Sequence, residues 1–104
     1  MFELASVLLL NIGLMVNMSS YRITPRFSWK KLDAGYIVLD LEKGGYFTLN
    51  DTASVIWDGL VDGREPKAIA QSLVDAYSVS QDRANKDTSE TIAMLKKECV
   101  LEVV

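Results

Sequence analysis

The chain has 104 residues, a formal net charge of −3 and no histidine. This length accommodates one small domain, and the acidic charge disfavours a duplex-DNA binder, whose affinity depends on lysine and arginine contacts to phosphates. Without histidine, the chain has no Ser–His or Cys–His nucleophile pair and no imidazole metal ligand. Its one cysteine, Cys99, has no internal disulfide partner, which predicts a reducing, cytoplasmic environment and a small buried apolar residue.

Residues 1–20 form an apolar extension ahead of the predicted domain at 21–104. The stretch Phe2–Val16 lacks the basic residues that begin a secretory signal. Its apolar run Val7–Val16 is shorter than the ~20 residues that span a bilayer, so we expect no stable membrane insertion. Three interpretations stay open: a helix that docks on the domain or on a second copy as a homodimer, a weak membrane anchor, and a non-native extension ahead of a start at Met18. We favour the extension.

Alternating sequence patterns predict three strands, at about Phe27–Leu32, Tyr36–Leu41 and Tyr46–Leu49. A turn signal at Asp33–Gly35 separates the first two strands. Gly44-Gly45 can take the positive φ angles of a tight hairpin between the second and third. We therefore expect an antiparallel meander with a possible free edge, which can pair with an incoming peptide.

The same alternation assigns residues to the two faces of these strands. Val38 and Asp40 share one face of the second strand, and Phe47 and Leu49 of the third should point at the helices. The other face of the second strand carries Ile37, Leu39 and Leu41.

Three helices follow the strands. The first spans about Asp51–Leu60 with Asn50 as its N-cap, the second spans Pro66–Tyr77, and Ser80 caps a third that ends near Glu98. Strands followed by three helices predict an α+β domain of the winged helix-turn-helix type. The helical positions predicted to pack in the core are Ala53, Ile56, Trp57, Leu60, Ile69, Leu73, Tyr77, Ala84, Thr88, Thr91, Ile92 and Leu95.

No arrangement of side chains in the sequence indicates catalysis or metal binding. Asp58 and Asp62 lie one turn apart, which is typical of a solvated helix face. Gly44-Gly45 lacks the Lys-Ser/Thr that follows in a phosphate-binding loop. A DNA-reading domain would need basic residues on its recognition helix and wing, where the chain offers Lys67 and Lys43. We therefore expect no enzyme activity, no cofactor and no nucleic-acid partner.

A series of short motifs runs through the domain. In chain order they are Val38-Leu39-Asp40, Gly45 to Asn50, Thr52-Ala53, Ile56-Trp57, Asp62-Gly63, Ile69-Ala70, Leu73 through Tyr77, Asp87, Ile92 to Leu95 and Cys99 to Glu102. Their order and spacing over about Phe27–Glu102 resemble PqqD-like proteins, the leader-peptide recognition elements of ribosomally made, modified peptides. Cys99 stands where that family commonly has glycine, and Thr91 where a large apolar residue is usual.

The resemblance implies a non-catalytic winged-helix module that holds the leader of a precursor peptide and presents the core to a modifying enzyme. The leader would add as a strand to the edge Tyr46–Leu49 beside the third helix. Core packing is the default role of Phe47 and Leu49, and a bond to its own helix is an equal alternative for the Thr91 hydroxyl. The residues expected to bind peptide are Tyr46, Phe47, Thr48, Leu49, Thr88, Thr91 and Leu95.

Three pathways or roles stay open. The Leu-Asp, Tyr-Phe-Thr-Leu-Asn and Ile-Trp motifs look more like lasso-peptide members of the family, where the partner would be a separate leader peptidase followed by a cyclase. The alternative within the family is a quinone-cofactor type with a radical SAM enzyme as partner. The alternative outside it is an acidic winged-helix transcription regulator.

Overall fold

The computed structural model describes residues 21–103. The homodimer, the membrane anchor and the non-native start considered for residues 1–20 lie outside the described residues and stay predictions. The elements are β1 (Tyr21–Ile23), β2 (Phe27–Leu32), β3 (Gly35–Asp40), β4 (Tyr46–Leu49), α1 (Asp51–Val61), α2 (Pro66–Tyr77), α3 (Gln81–Lys97) and β5 (Leu101–Val103). The predicted α+β architecture, an antiparallel three-stranded sheet followed by three helices, is confirmed.

The strands form two separate sheets. In the larger sheet the order is β2-β3-β4, and both neighbouring pairs are antiparallel. In the smaller sheet β1 pairs with β5, with Tyr21 opposite Val103 and Ile23 opposite Leu101. The last described residues are therefore a strand, and their partner is the segment that precedes β2.

The connection between β3 and β4 is longer than the tight glycine hairpin that the sequence predicts. It spans residues 41–45, and of its two glycines only Gly44 has a positive φ, at 83°. The amide of Gly44 donates to the carbonyl of Asp40 at 2.8 Å, which closes the turn. The turn therefore depends on hydrogen bonds around Asp40 as well as on glycine.

The helices cover the face of the sheet that carries Val38. The strand register places Val38 between Trp29 of β2 and Phe47 of β4, and Val38 is completely buried. The buried Trp57 of α1 packs on this face with its ring centroid 5.5 Å from that of Trp29. The opposite face exposes three large apolar side chains, Leu32, Leu39 and Tyr46. The sequence predicts that Phe47 and Leu49 point at the helices, and the strand register places Val38 on that same face.

The helices begin where the sequence predicts. The side chain of Asn50 accepts a hydrogen bond from the amide of Ala53 at 2.9 Å at the start of α1. The Ser80 hydroxyl accepts from the amide of Arg83 at 3.1 Å at the start of α3. Pro66 is the first residue of α2, where its missing N–H costs no hydrogen bond.

Most of the predicted helical core positions are buried, but the prediction for Tyr77 was wrong. Tyr77 is the last residue of α2, and the chain turns away at Ser78, whose φ is 54°. The Tyr77 side chain is therefore 42% exposed. Ala53 and Thr91 are half-buried, and Val79, which follows the turn, packs against the core.

Candidate functional site

The outer edge of β4 has backbone groups that β3 does not use. The amide of Asp40 donates to the carbonyl of Gly45 at 2.8 Å, which makes these two residues a hydrogen-bonded pair of the antiparallel ladder. Because such pairs alternate with non-bonded ones, Tyr46 and Thr48 direct their N–H and C=O groups away from β3. No strand among residues 21–103 lies beyond β4. This edge can therefore accept a further strand.

A groove of about 590 Å³ runs along this edge. One side is β4 itself, Tyr46–Leu49, and the opposite side is the C-terminal part of α3 with the turn that follows it. The side chains on the helix side belong to Met94, Lys97, Glu98 and Cys99. The groove thus has backbone donors and acceptors on one side and a mixture of apolar and charged side chains on the other.

An ion pair closes the end of the groove nearest the β3–β4 turn. Arg26 binds Asp40 through two contacts, from Nε to Oδ1 at 2.9 Å and from Nη2 to Oδ2 at 2.6 Å. The amides of Glu42 and Lys43 also donate to Asp40 Oδ1, at 2.9 and 3.0 Å. The Arg26 bond and these amides hold the pKa of Asp40 well below its usual range. The carboxylate therefore stays ionised and fixes the shape of the turn beside β4.

The structure separates the seven side chains that the sequence predicts for the site. All four from β4, Tyr46–Leu49, line the groove. Thr88 and Leu95 are core residues instead, with 2% and 0% of their surface exposed, which corrects their expected position on the groove wall. Thr91 is half-buried and lines a second, smaller cavity of about 290 Å³.

The helix side of the groove is formed by the positions next to the predicted stripe. Helical periodicity detects the apolar stripe to which Thr88 and Leu95 belong, and such a stripe packs on the core. Met94 and Lys97 lie beside that stripe and are exposed. The sequence offers one signal for this side of α3, namely a large apolar residue, Met94, on the polar side of an amphipathic helix. In the structure Met94 is 43% exposed. Sequence reasoning also missed Arg26 and Asp40 as lining residues.

Cys99 is exposed in this groove, so the prediction of a buried cysteine was wrong. It lies two residues after Lys97, the last residue of α3, and has a φ of 63°. The Cys99 amide donates to the Lys96 carbonyl at 3.1 Å and the Val100 amide donates to the Leu95 carbonyl at 2.9 Å. These two bonds define a Schellman motif, whose left-handed position glycine usually takes. Val100 and Leu95 are the buried members of this cap.

Tyr36 connects the same sheet to α1. Its phenol donates a hydrogen bond to the Asp58 carboxylate, and this bond raises the pKa of Tyr36 to about 12. Asp58 thus bonds to the sheet, and the sequence-based interpretation of Asp58 and Asp62 as a purely solvated face is incomplete. The contact holds α1 against β3, the central strand beside β4.

Neither a metal site nor a membrane-spanning helix is found between Tyr21 and Val103. No group of three or more cysteine, aspartate or glutamate side chains in this range is arranged to hold a metal ion. None of the helices in the same range is long and apolar enough to cross a membrane.

Comparison with known structures finds the same fold with similar sequences. Lasso peptide synthetase B1 complexed with the leader peptide is 33% identical, with a TM-score of 0.75 over 81% of this chain and 99% of that one. TbiB1 in complex with the TbiA(beta) leader peptide is 27% identical, with a TM-score of 0.73 over 78% and 94% of the two chains.

A third similar structure, determined in solution by NMR, is the PqqD truncation of Methylobacterium extorquens PqqCD, described as a functional, stand-alone recognition element for ribosomally synthesised and post-translationally modified peptides. It is 27% identical, with a TM-score of 0.64 over 80% of this chain and 88% of that one. A search of curated proteins returned no match. Residues 35–101, more than half of the chain, match the family of coenzyme PQQ synthesis protein D (PqqD). The chain belongs to the PqqD family.

Proposed function

We propose that this chain is a recognition element that binds the leader of a ribosomally synthesised precursor peptide by strand addition to β4. The observation that carries the proposal is the free edge of β4, whose Tyr46 and Thr48 backbone groups face a groove walled by α3. Two structures similar to this chain are complexes with leader peptides, which supports the same role here.

Strand addition accounts for both the affinity and the selectivity that such a module requires. Backbone hydrogen bonds to Tyr46 and Thr48 are available to any extended segment, so they supply affinity without strict sequence requirements. The side chains across the groove, which include Met94, Lys97 and Glu98, contact the peptide and supply selectivity. We expect a dissociation constant of about 1 μM or below, which corresponds to a binding free energy of about −8 kcal/mol.

The partner enzyme in this proposal is a separate leader peptidase of a lasso-peptide pathway. Support comes from the lasso peptide synthetase B1 structure, which matches this chain over 99% of its own length at 33% identity. The quinone-type PqqD partner of a radical SAM enzyme stays the alternative, since the truncated PqqD also shares the fold at 27% identity. Co-purification of the chain with each enzyme class encoded beside it would separate the two.

The outer face of the sheet is available to that enzyme while the groove is occupied. Leu39 and Tyr46 are 39% and 69% exposed there, and Leu32 is 42% exposed. A peptide strand added to β4 would extend this face directly, because Tyr46 belongs to the edge strand. An exposed apolar patch of this kind is typical of a protein contact. Leu39→Lys should therefore leave leader affinity unchanged and reduce leader removal by the peptidase.

The chain itself needs no catalytic group for this role. It presents the substrate, and the partner performs the chemistry.

The acidic winged-helix regulator is the competing proposal, and a mobility-shift assay with duplex DNA at two salt concentrations tests it. A regulator that contacts phosphates gives binding that weakens steeply with salt, whereas a leader-binding module gives no shift.

Cys99 provides a direct test, because it is the only cysteine and its side chain lines the groove. The leader of the precursor encoded beside this gene should bind saturably in a fluorescence-anisotropy titration. The same leader should slow the alkylation of Cys99 in proportion to occupancy. Binding without protection of Cys99 would show that the leader binds elsewhere than beside β4. The proposed function would be refuted if no neighbouring precursor bound saturably.

A further inference from the structure

We propose that the groove selects its peptide by the order of two charges: the bound leader segment carries an acidic side chain near the β3–β4 turn and a basic side chain near the start of α1. This inference rests on the proposed function and specifies which leaders the site accepts. It depends on the distribution of charged side chains at the two ends of the groove.

The end near the β3–β4 turn has two lysines without ion-pair partners among the described residues. Arg26 binds Asp40 through two short contacts and also lies 3.8 Å from the Glu42 carboxylate, so these three charges are already paired with one another. Lys43 and Lys97 also line this end, against one further carboxylate, Glu98. Neither lysine takes part in an ion pair with another residue between Tyr21 and Val103. These two ammonium groups are available to an acidic side chain of a bound peptide.

The opposite end has an excess of negative charge. The second cavity lies between the start of α1 and the middle of α3, and Arg83, Asp87 and Glu90 line it. Arg83 Nε is 3.2 Å from both carboxylate oxygens of Asp87, so these two charges are paired. Glu90 is exposed and forms no ion pair within residues 21–103. Its carboxylate is available to a lysine or arginine of the peptide.

The two cavities follow one another along both walls. Leu49 lines the groove and the next residue, Asn50, lines the second cavity. On α3, Lys97 and Glu90 are seven positions apart, which is ~10 Å at ~1.5 Å per residue. An extended peptide rises ~3.3 Å per residue. Because both side chains must face α3, they should be an even number of residues apart, about four.

Charge order gives the site a way to fix register. Backbone pairing with β4 tolerates many sequences, and a shift by one residue turns every peptide side chain to the other face. A leader in the wrong register, or running in the wrong direction, would place like charges against Lys97 and Glu90. Such contacts lower the affinity of the wrong complex without strengthening the right one.

A selection experiment tests this inference without a known leader. A displayed library of random dodecapeptides is selected against the full chain, against Lys97→Glu and against Glu90→Lys. The wild type should enrich peptides with an acidic and a basic residue in one fixed order. Lys97→Glu should lose the acidic preference, and Glu90→Lys the basic one. For a selected peptide, each reversal should weaken binding about five- to tenfold at low salt, and less at high salt.

Two charge reversals away from the groove serve as matched controls. Lys67→Glu on α2 and Glu65→Lys before it make the same charge changes at exposed positions that line neither cavity. They should leave the enriched sequences unchanged. Selected peptides that protect Cys99 but show no charge order, or an order that both groove variants retain, would overturn the inference and leave the proposed function intact. If no library peptide protects Cys99, strand addition to β4 fails and the inference fails with it.

Discussion

β4 and β2 are the two outer strands of the same sheet, yet their edges differ in composition and surroundings. β4 reads Tyr-Phe-Thr-Leu, carries no charge and has α3 beside its outer edge. β2 carries Lys30 and Lys31, and every residue after Phe27 is exposed. Lysines on an edge strand disfavour pairing with another chain. A free edge is thus not enough for a peptide site; the edge must be uncharged and have a second wall.

Replacement of Thr48 by proline should have the largest effect on binding, because it removes an N–H that faces the groove. We expect leader affinity to fall about tenfold or more, since one ladder hydrogen bond is lost and its peptide partner is left unpaired. Titration of the labelled leader measures the change.

Lys31→Pro is the matched control for Thr48→Pro. The Leu41 amide donates to the Arg26 carbonyl at 2.8 Å, and the alternation from that pair directs the Lys31 N–H to the outer edge of β2. Both prolines therefore lie on free edges of one sheet. Equal losses of affinity in the two variants would show that the edges are not functionally different.

Asp40→Asn should weaken the turn that ends the β4 edge. The pKa of Asp40 is lowered in the folded chain, chiefly by its hydrogen bond to Arg26. Its stabilising effect is therefore present above the ordinary aspartate pKa of about 4 and is lost as the pH falls through the lower folded value. The wild-type Tm should fall by a few degrees more between pH 5 and pH 2 than that of Asp40→Asn.

Asp33→Asn is the corresponding control in the turn between β2 and β3, where Asp33 is exposed. Its Tm should follow the wild-type curve with pH. Parallel curves for the wild type and Asp40→Asn would mean that the Arg26–Asp40 pair does not stabilise the turn.

Cys99→Gly should stabilise the helix side of the groove. Cys99 has a φ of 63°, a left-handed conformation that is strained for any residue with a Cβ. Relief of this strain exceeds the extra entropy of glycine in the unfolded chain, so we expect a gain of about 0.5–1 kcal/mol in the free energy of unfolding. Urea denaturation measures it. Cys99→Ala keeps the Cβ and should show no gain; equal stability of both variants would contradict the strain argument.

Removal of the β2 lysines should have the smallest effect. The double variant Lys30→Thr and Lys31→Val leaves an uncharged edge of β-forming residues. We expect weak, concentration-dependent self-association beyond that of the wild type by sedimentation velocity, with leader affinity unchanged. An unchanged sedimentation profile would show that the lysines are not what keeps the β2 edge unpaired.

Half of the candidate site could be predicted from the sequence. The alternation of Tyr46–Leu49 and its place after the turn identified the edge strand, because strand periodicity is a local property. The helix side could not be predicted in the same way. Periodicity in α3 identifies the face that packs on the core, which carries Thr88 and Leu95. Met94 and Lys97 reach the groove only because α3 lies at a particular angle beside β4.

By itself, the sequence determined the order of β2, β3, β4 and the three helices, the helix caps at Asn50 and Ser80 and the membership of each face of β3, since these depend on neighbours within a few residues. The tertiary structure decided that β1 pairs with β5, that Cys99 is exposed after the end of α3, and which side chains form the helix side of the groove. These outcomes depend on contacts between distant segments, whose energies no local pattern records. The groove beside β4 depends on both kinds of information. Local alternation predicts its edge strand, whereas its second wall depends on how α3 packs beside the sheet.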